Sequence, residues 1–296
     1  MINLKKITES LLLAILIVSA AAPAAAQGSS IPTARATNHL EWTESFEGST
    51  GSSGQEMELT SAVTFNFRRF SVGGGIPVYL DRTISSTGAQ ISDGIGNVYV
   101  TIGSSWNGTL LHYATALTGS LPTGDSNKGF STKHATFDWN NRFDRNFHFV
   151  TPFLDGGVAN SISDTKFFHR PFTSFGYLAH GETGADVDLP LSLTLTLSAY
   201  DIAPWGTQTI ISRDVLNGAV GSGGLDGRVF EVNHITTGPA SINYDQGFTA
   251  GITFNPKPYL GLDLGYTRSI SFAFNTFSWG IVLNMSRLLG GGKPPR

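Results

Sequence analysis

The chain has 296 residues, with 19 Lys plus Arg against 22 Asp plus Glu, a net charge of −3, and no cysteine. A slightly acidic chain without a basic cluster is no nucleic-acid partner, and one without thiols has neither a disulfide framework nor a thiolate metal site. Its 20 Phe, 8 Tyr, 5 Trp and 35 Gly beside only 14% charged residues depart from a soluble exported domain. They match a barrel in lipid, apolar outside and small and polar inside.

Residues 1–26 read as a secretory signal: Lys5 and Lys6 make a positive n-region, Leu11 to Ala22 an apolar stretch, and Ala24-Ala25-Ala26 a small-residue cleavage site. The expected organisation is then a periplasmic segment over 27–38, a transmembrane β-barrel over 39–288 and a periplasmic tail over 289–296. Past the signal no apolar run approaches the length of a membrane-spanning helix, so any crossing must be made by strands.

Period-2 alternation runs through the rest of the chain, because successive strand side chains point to opposite faces. Leu59, Val63, Phe65 and Phe67 alternate with Thr60, Thr64, Asn66 and Arg68, and Phe137 and Trp139 with Asp138, Asn140 and Arg142. From Leu189 to Tyr200, Leu191, Leu193, Leu195 and Leu197 share one face and Ser192, Thr194, Thr196 and Ser198 the other. Leu260, Leu262 and Leu264 oppose Gly261, Asp263 and Gly265. The pattern predicts twelve strands near 39–46, 57–67, 70–80, 95–105, 109–119, 132–142, 147–158, 171–183, 189–202, 241–254, 259–268 and 277–288. About 10 residues at roughly 3.3 Å each, tilted by about 40°, cover the ~25 Å apolar band of an outer-membrane barrel.

The joins between these strands alternate. Short ones are expected near Arg68-Arg69, Trp106-Asn107-Gly108, Asp144-Arg145, Gly184 to Asp188 and Asn255 to Lys257, and longer ones near 47–56, 81–94, 120–131, 159–170, 203–240 and 269–276. An all-β membrane barrel of the up-and-down antiparallel kind has this alternation, with periplasmic turns and extracellular loops. In the longest loop Thr207 to Arg213 and Arg228 to Ile235 look strand-like, with Gly218 to Gly227 as a flexible tip. It could fold inward as a constriction or outward as a receptor surface. At the C-terminus, Ser278-Trp279-Gly280-Ile281-Val282-Leu283-Asn284-Met285 fits the polar-x-Gly-x-x-apolar-x-apolar pattern read by the barrel-assembly machinery. It ends on Met where an aromatic is usual.

Catalytic and binding motifs fall away one by one. In Ser120 to Gly129, Gly124 and Gly129 have phosphate-loop spacing, but Phe130 stands where the lysine is needed, and what remains is turn chemistry. The His-x-Ser-Asn-Gly run of barrel phospholipases does not occur. The seven histidines, His39, His112, His134, His148, His169, His180 and His234, form no H-x-H or H-x-x-x-H pair. No catalytic residue, metal site or cofactor is expected. Small inward residues such as Thr194, Thr196, Thr249, Gly251, Thr253, Gly261 and Gly265 would leave a narrow lumen, with Arg68, Asp138, Arg142 and Asp263 as candidate pore-lining charges. Paired charges bracing the wall are the competing reading of those four.

Gly94-Ile95-Gly96-Asn97-Val98, a strand pair broken at Asn107-Gly108, and Leu121-Pro122-Thr123-Gly124-Asp125 resemble the Gly-x-Gly-Asp and Leu-Pro-Thr-Gly-Asp pattern of outer-membrane proteins named for the phenol-degradation meta pathway. The resemblance is sharpest over residues 90–145, and Asn97 stands where that family usually has aspartate. It implies a porin-like barrel admitting small, often hydrophobic or aromatic, compounds, with residues 121–125 in the third extracellular loop. The expected function is therefore passive diffusion of such solutes across the outer membrane of a Gram-negative-type envelope. Outer-membrane lipid, the assembly machinery and a small-molecule solute are the expected partners. A surface adhesin or scaffold is the alternative, and a lipid-modifying enzyme a more distant one.

Overall fold

The computed structural model describes residues 39–85, 88–215 and 228–290. The signal segment, residues 27–38 and the Gly218 to Gly227 tip lie outside the described residues. Twelve antiparallel strands close on themselves: β1 (His39–Thr50), β2 (Gly54–Phe67), β3 (Phe70–Ser85), β5 (Tyr99–Asn107), β6 (His112–Ser120), β7 (Thr136–Asp144), β8 (Val150–Ala159), β10 (Leu178–Leu189), β11 (Leu193–Pro204), β14 (Asp245–Lys257), β15 (Leu260–Ser269) and β16 (Phe274–Asn284). Each pairs with its neighbour in sequence, and β1 with β16 seals the ring from Thr43 opposite Asn284 to Thr50 opposite Phe277. Closure leaves no open edge, the condition for backbone polar groups to be satisfied in lipid. No helix among the described residues is long and apolar enough to span a membrane.

Side chains follow the alternation of the sequence. Along β14, Asp245, Gly247, Thr249 and Gly251 turn inward and are buried, while Phe248 and Ile252 are each 45% exposed on the outer surface. Leu264, Phe277, Val100 and Trp139 belong to the same outer belt. These are the apolar groups that water would reject and acyl chains accept.

Four smaller strands lie outside the ring. β4 (Gly88–Ile95) pairs with the far end of β3, from Val78 to Ser85, whereas Phe70 to Gly75 pair with β5. β9 (Phe172–Phe175), β12 (Gln208–Ser212) and β13 (Ile235–Gly238) form a separate three-stranded sheet at the long-loop end. The longest loop thus does make an antiparallel hairpin, but its return strand is β13, and Val229–Val232 is a helical turn where a strand was expected.

The short joins fall at 68–69, 108–111, 145–149, 190–192 and 258–259, as their alternation demands. The fourth differs from expectation. Gly184 to Asp188 continue the ladder, with Asp186 opposite Thr196, and the chain turns instead at Pro190-Leu191-Ser192. Leu191 and Ser192 take positive φ there, and proline has no N–H to give a partner strand. Strand eight correspondingly begins at Leu178 rather than 171, because Phe172–Phe175 leaves the wall. The first and last long joins are also tighter than expected, at residues 51–53 and 270–273, since their strands run on past the membrane band.

Candidate functional site

The twelfth-strand closure leaves a lumen lined by small and polar side chains, and the chain between β8 and β9 folds back into it. Thr165 and Phe168 exchange both backbone hydrogen bonds, 3.0 Å each, so Lys166 and Phe167 form the tip of a tight hairpin. That tip crosses to β14 and β15. Lys166 Nζ lies 2.8 Å from Asp263 Oδ1 and donates to Thr253 Oγ1 at 2.7 Å, and Thr267 Oγ1 donates to the Phe167 carbonyl at 2.9 Å. The Phe167 ring fits only because the wall has no side chain beneath it. A Cβ at Gly251 would stand 2.5 Å from the ring, and one at Gly265 2.6 Å. These inward glycines are read correctly as small from sequence, but the space they leave is occupied.

The hairpin is held along its length. Ser163 Oγ donates to Asp138 Oδ2 on β7 at 2.9 Å. Arg170 N–H donates to Asp164 Oδ1, and the Arg170 guanidinium donates to the Ser163 carbonyl, each at 2.9 Å, while it stacks 4.3 Å from the Phe168 ring centre. His169 reaches the wall opposite β8: Ser49 Oγ donates to its carbonyl, and its Nε2 lies 3.4 Å from Glu47 Oε2 on β1. Burial pushes this imidazole down, but the Glu47 contact and the charges of Asp164, Glu47 and Glu58 outweigh burial and raise it to about 9.

Three cavities result. A cavity of about 580 Å³ opens at the short-turn end, walled by Arg142, Lys166, Phe167, Asp263 and Tyr259 among others. One of about 210 Å³ lies in the middle, between Tyr99, Asn140, His180 and residues 161–165. A third of about 60 Å³ lies near Tyr79, Asn97, Phe130 and Phe172. Residues of the inward hairpin line all three, so the hairpin is the partition. Above it Phe168, Phe172, Ile210, Phe230, Phe272 and Phe274 pack into an apolar cluster that fills the long-loop end.

The sequence-derived candidates separate on this frame. Asp138 is inward and holds both Ser163 and His180 Nε2, the latter at 3.0 Å. Asp263 is inward and holds Lys166. Arg142 is inward and spans three carboxylates: Nη1 to Asp155 at 2.9 Å, Nη2 to Asp186 at 3.2 Å and Nε to Asp144 at 3.3 Å, over the Phe153 ring at 4.1 Å. Arg68 is different. It occupies the β2–β3 turn with φ 53°, its guanidinium lies over outward Phe67, and it walls none of the three cavities. A residue one step past the strand end no longer obeys the alternation that assigned it inward.

Leu121, Pro122, Thr123, Gly124 and Asp125 join the other half of the same motif. Thr123 Oγ1 donates to the Gly96 carbonyl at 3.1 Å and accepts from Val98 N–H at 2.8 Å, and Asn97 Oδ1 accepts from Gly124 N–H at 3.2 Å. A Cβ on Gly124 would lie 2.6 Å from the Phe130 carbonyl, which explains the glycine. Asp125 caps the turn Ser126–Lys128 through Asn127 N–H. Residues 94–97 and 121–125 are thus one clamp at the long-loop end, built from turn chemistry.

A second group of buried charges sits beside that clamp. Arg213 lies 4.4 Å from the Tyr79 ring centre and 3.9 Å from Glu56, and Thr83 Oγ1 donates to Asp214 Oδ1 at 2.5 Å. Burial pushes the Asp214 carboxyl up to about 6 against the opposing pull of Thr83, Arg213 and Ser53. A carboxyl raised above its unfolded value of about 3.9 contributes stability fully below that value and loses it as pH rises through about 6. The ionised Asp214 carboxylate also pushes Glu56, Asp81 and Glu231 up, while Arg213 draws Asp214 down, so removing the charge relieves those three as well, again only at pH values where Asp214 is ionised. Asp214→Asn is therefore expected to raise the urea midpoint of the folded barrel at pH 8 and leave it unchanged at pH 4; equal shifts at both values would refute the assignment.

Fold and lumen together define a transmembrane β-barrel with an inward-folded constriction. Its backbone is similar to the crystal structure of an outer-membrane channel from Pseudomonas putida F1, with a TM-score of 0.56 at 9% identity over 88% of this chain and 99% of that one. The KdgM porin aligns over 82% of this chain and 98% of its own at 10% identity, with a TM-score of 0.46. No family model matches the chain, and no curated relative matches it. The shared property is the fold of an outer-membrane barrel.

Proposed function

We propose that this protein is an outer-membrane channel through which small solutes, hydrophobic or aromatic compounds among them, diffuse passively, and that it is related to the outer-membrane proteins named for the phenol-degradation meta pathway. The observation that carries the reading is the partition of the lumen by a hairpin held through side-chain contacts to Asp138, Glu47 and Asp263. A scaffold barrel needs no such device, whereas a conduit needs a selective constriction. In this reading the short-turn end faces the periplasm and the 121–125 clamp the outside. Asp138 and Asp263 set the position of the constriction, and Arg142 braces the wall of the larger vestibule.

The relation to the phenol-pathway family is supported by the clamp, because the two motif halves that carry the resemblance prove to bond to each other. Aromatic cavity walls at Tyr99, Phe168 and Tyr200 suit a flat apolar solute. Planar-bilayer recording of the purified protein is expected to show small, resolvable single-channel steps. Silence at every voltage would remove the channel reading and favour a surface scaffold, and phospholipid hydrolysis by the pure protein would favour an enzyme.

A further inference from the structure

We propose that Glu58, Asp164 and His169, with Glu47 beside them, bind one divalent first-row metal ion of the Zn²⁺ class, clasping the inward hairpin to the opposite barrel wall. One ligand atom from each of Glu58, Asp164 and His169 lies within 4.8 Å of the other two. His169 is 5% exposed, and its Nε2 is buried without a hydrogen-bond partner, 3.4 Å from Glu47 Oε2. The other ring nitrogen, Nδ1, lies 3.9 Å from Glu58 Oε2. Both nitrogens thus face carboxylate oxygens, Nδ1 at a distance too long for a hydrogen bond and Nε2 without the geometry of a formed one.

The charge balance points the same way. Three carboxylates, Glu47, Glu58 and Asp164, surround one imidazole, which even when protonated supplies a single positive charge. Thr60 Oγ1 and Arg170 N–H donate to Glu58 and Asp164, but among the described residues no lysine or arginine side chain pairs with any of the three. Lys166 is committed to Asp263, and Arg170 to the Ser163 carbonyl and Asp245. Buried carboxylates are normally paired or coordinate a metal. An imidazole nitrogen among carboxylate oxygens suits a Zn²⁺-class ion, whereas Ca²⁺ and Mg²⁺ take oxygen alone. Ligands bonded at about 2.1 Å sit closer together than these atoms do, and Asp164, on the hairpin rather than a strand, is placed to close the difference.

No sequence spacing announces this site, and none was expected, because Glu47 and Glu58 come from two strands and Asp164 and His169 from a loop entering across the barrel. The test is calorimetric titration of Zn²⁺ into the untagged full chain, folded in detergent after chelator treatment, with Co²⁺ absorption as a spectroscopic check. A single site per chain is expected, with a Co²⁺ d–d band, and both are lost in His169→Asn and Asp164→Asn. Asp164→Asn keeps the oxygen that accepts Arg170 N–H, so it preserves the bend of the hairpin, and heat-modifiable gel migration verifies that each variant is folded. If His169→Asn does not fold, Asp164→Asn alone decides. Absent stoichiometric binding, or binding that survives Asp164→Asn, overturns the proposal. Neither readout depends on conduction, so it stands or falls separately from the channel reading.

Discussion

Lys166→Ser combined with Phe167→Gly is expected to raise single-channel conductance several-fold. These two side chains are the tip of the hairpin that divides the vestibule from the middle cavity. A twelve-strand ring lies between the eight-strand case, filled by its own side chains, and the sixteen-strand case with an open channel. Its free width is therefore decided by what else enters it. Here the wall opposite the tip is glycine at 251 and 265, with threonine at 249 and 253, so removing the Phe167 ring leaves open space rather than a new contact. The pair Thr165 and Phe168 stays, as do Ser163 and Arg170, so the rest of the hairpin keeps its anchors. Unchanged conductance in a folded variant would place the narrowest point elsewhere, in the aromatic cluster around Phe230 and Phe272.

The barrel was legible in the chain because lipid outside and a polar lumen inside impose alternation on every wall strand. Leu193 to Tyr200 and Leu260 to Thr267 turn as that pattern requires, and every wall strand but the eighth was placed to within a few residues. Errors gathered where alternation stops carrying information. Phe172–Phe175 alternates like a wall strand, but both its faces meet protein, in the small sheet and the aromatic cluster. Gly184 looked like a turn residue, yet Pro190 and the positive φ of Leu191 make the turn.

The constriction was not legible for a related reason. The long loop after β11 drew attention by its length, while Asn160 to Pro171 reads as an ordinary polar connection with two phenylalanines. What sends it inward is a set of partners distant in sequence: Asp138, Glu47, Asp263 and the bare glycines at 251 and 265. The charges Asp138 and Asp263 were flagged by their inward position, but their partners on the hairpin could not be. The run Asp164-Thr165-Lys166-Phe167-Phe168-His169-Arg170 held the one available signal, four ionisable side chains around two aromatics in a join between barrel strands.

Arg142→Leu is expected to destabilise the barrel by about 2 kcal/mol, because it removes the shared cation of a half-buried ion cluster and leaves the one buried member, Asp155, without a partner. Its guanidinium is the shared partner of Asp144, Asp155 and Asp186, on three successive wall strands, and Asp155 Oδ1 is already buried without a hydrogen bond. His112 Nδ1 still lies 2.9 Å from Asp144 in the variant, but nothing replaces the fork at Asp155 and Asp186. Leucine fills the space over the Phe153 ring, so lost packing contributes little and the effect reports charge. Arg142→Lys restores one positive charge without the three-way fork and is expected to fall between the two. Urea unfolding in lipid vesicles measures the order. The same substitution leaves the vestibule wall more negative, so the reversal potential under a salt gradient is expected to shift toward cation selectivity. A destabilised barrel with unchanged selectivity would make Arg142 a wall brace that passing ions do not sense, and an Arg142→Leu variant as stable as the parent would refute the brace itself.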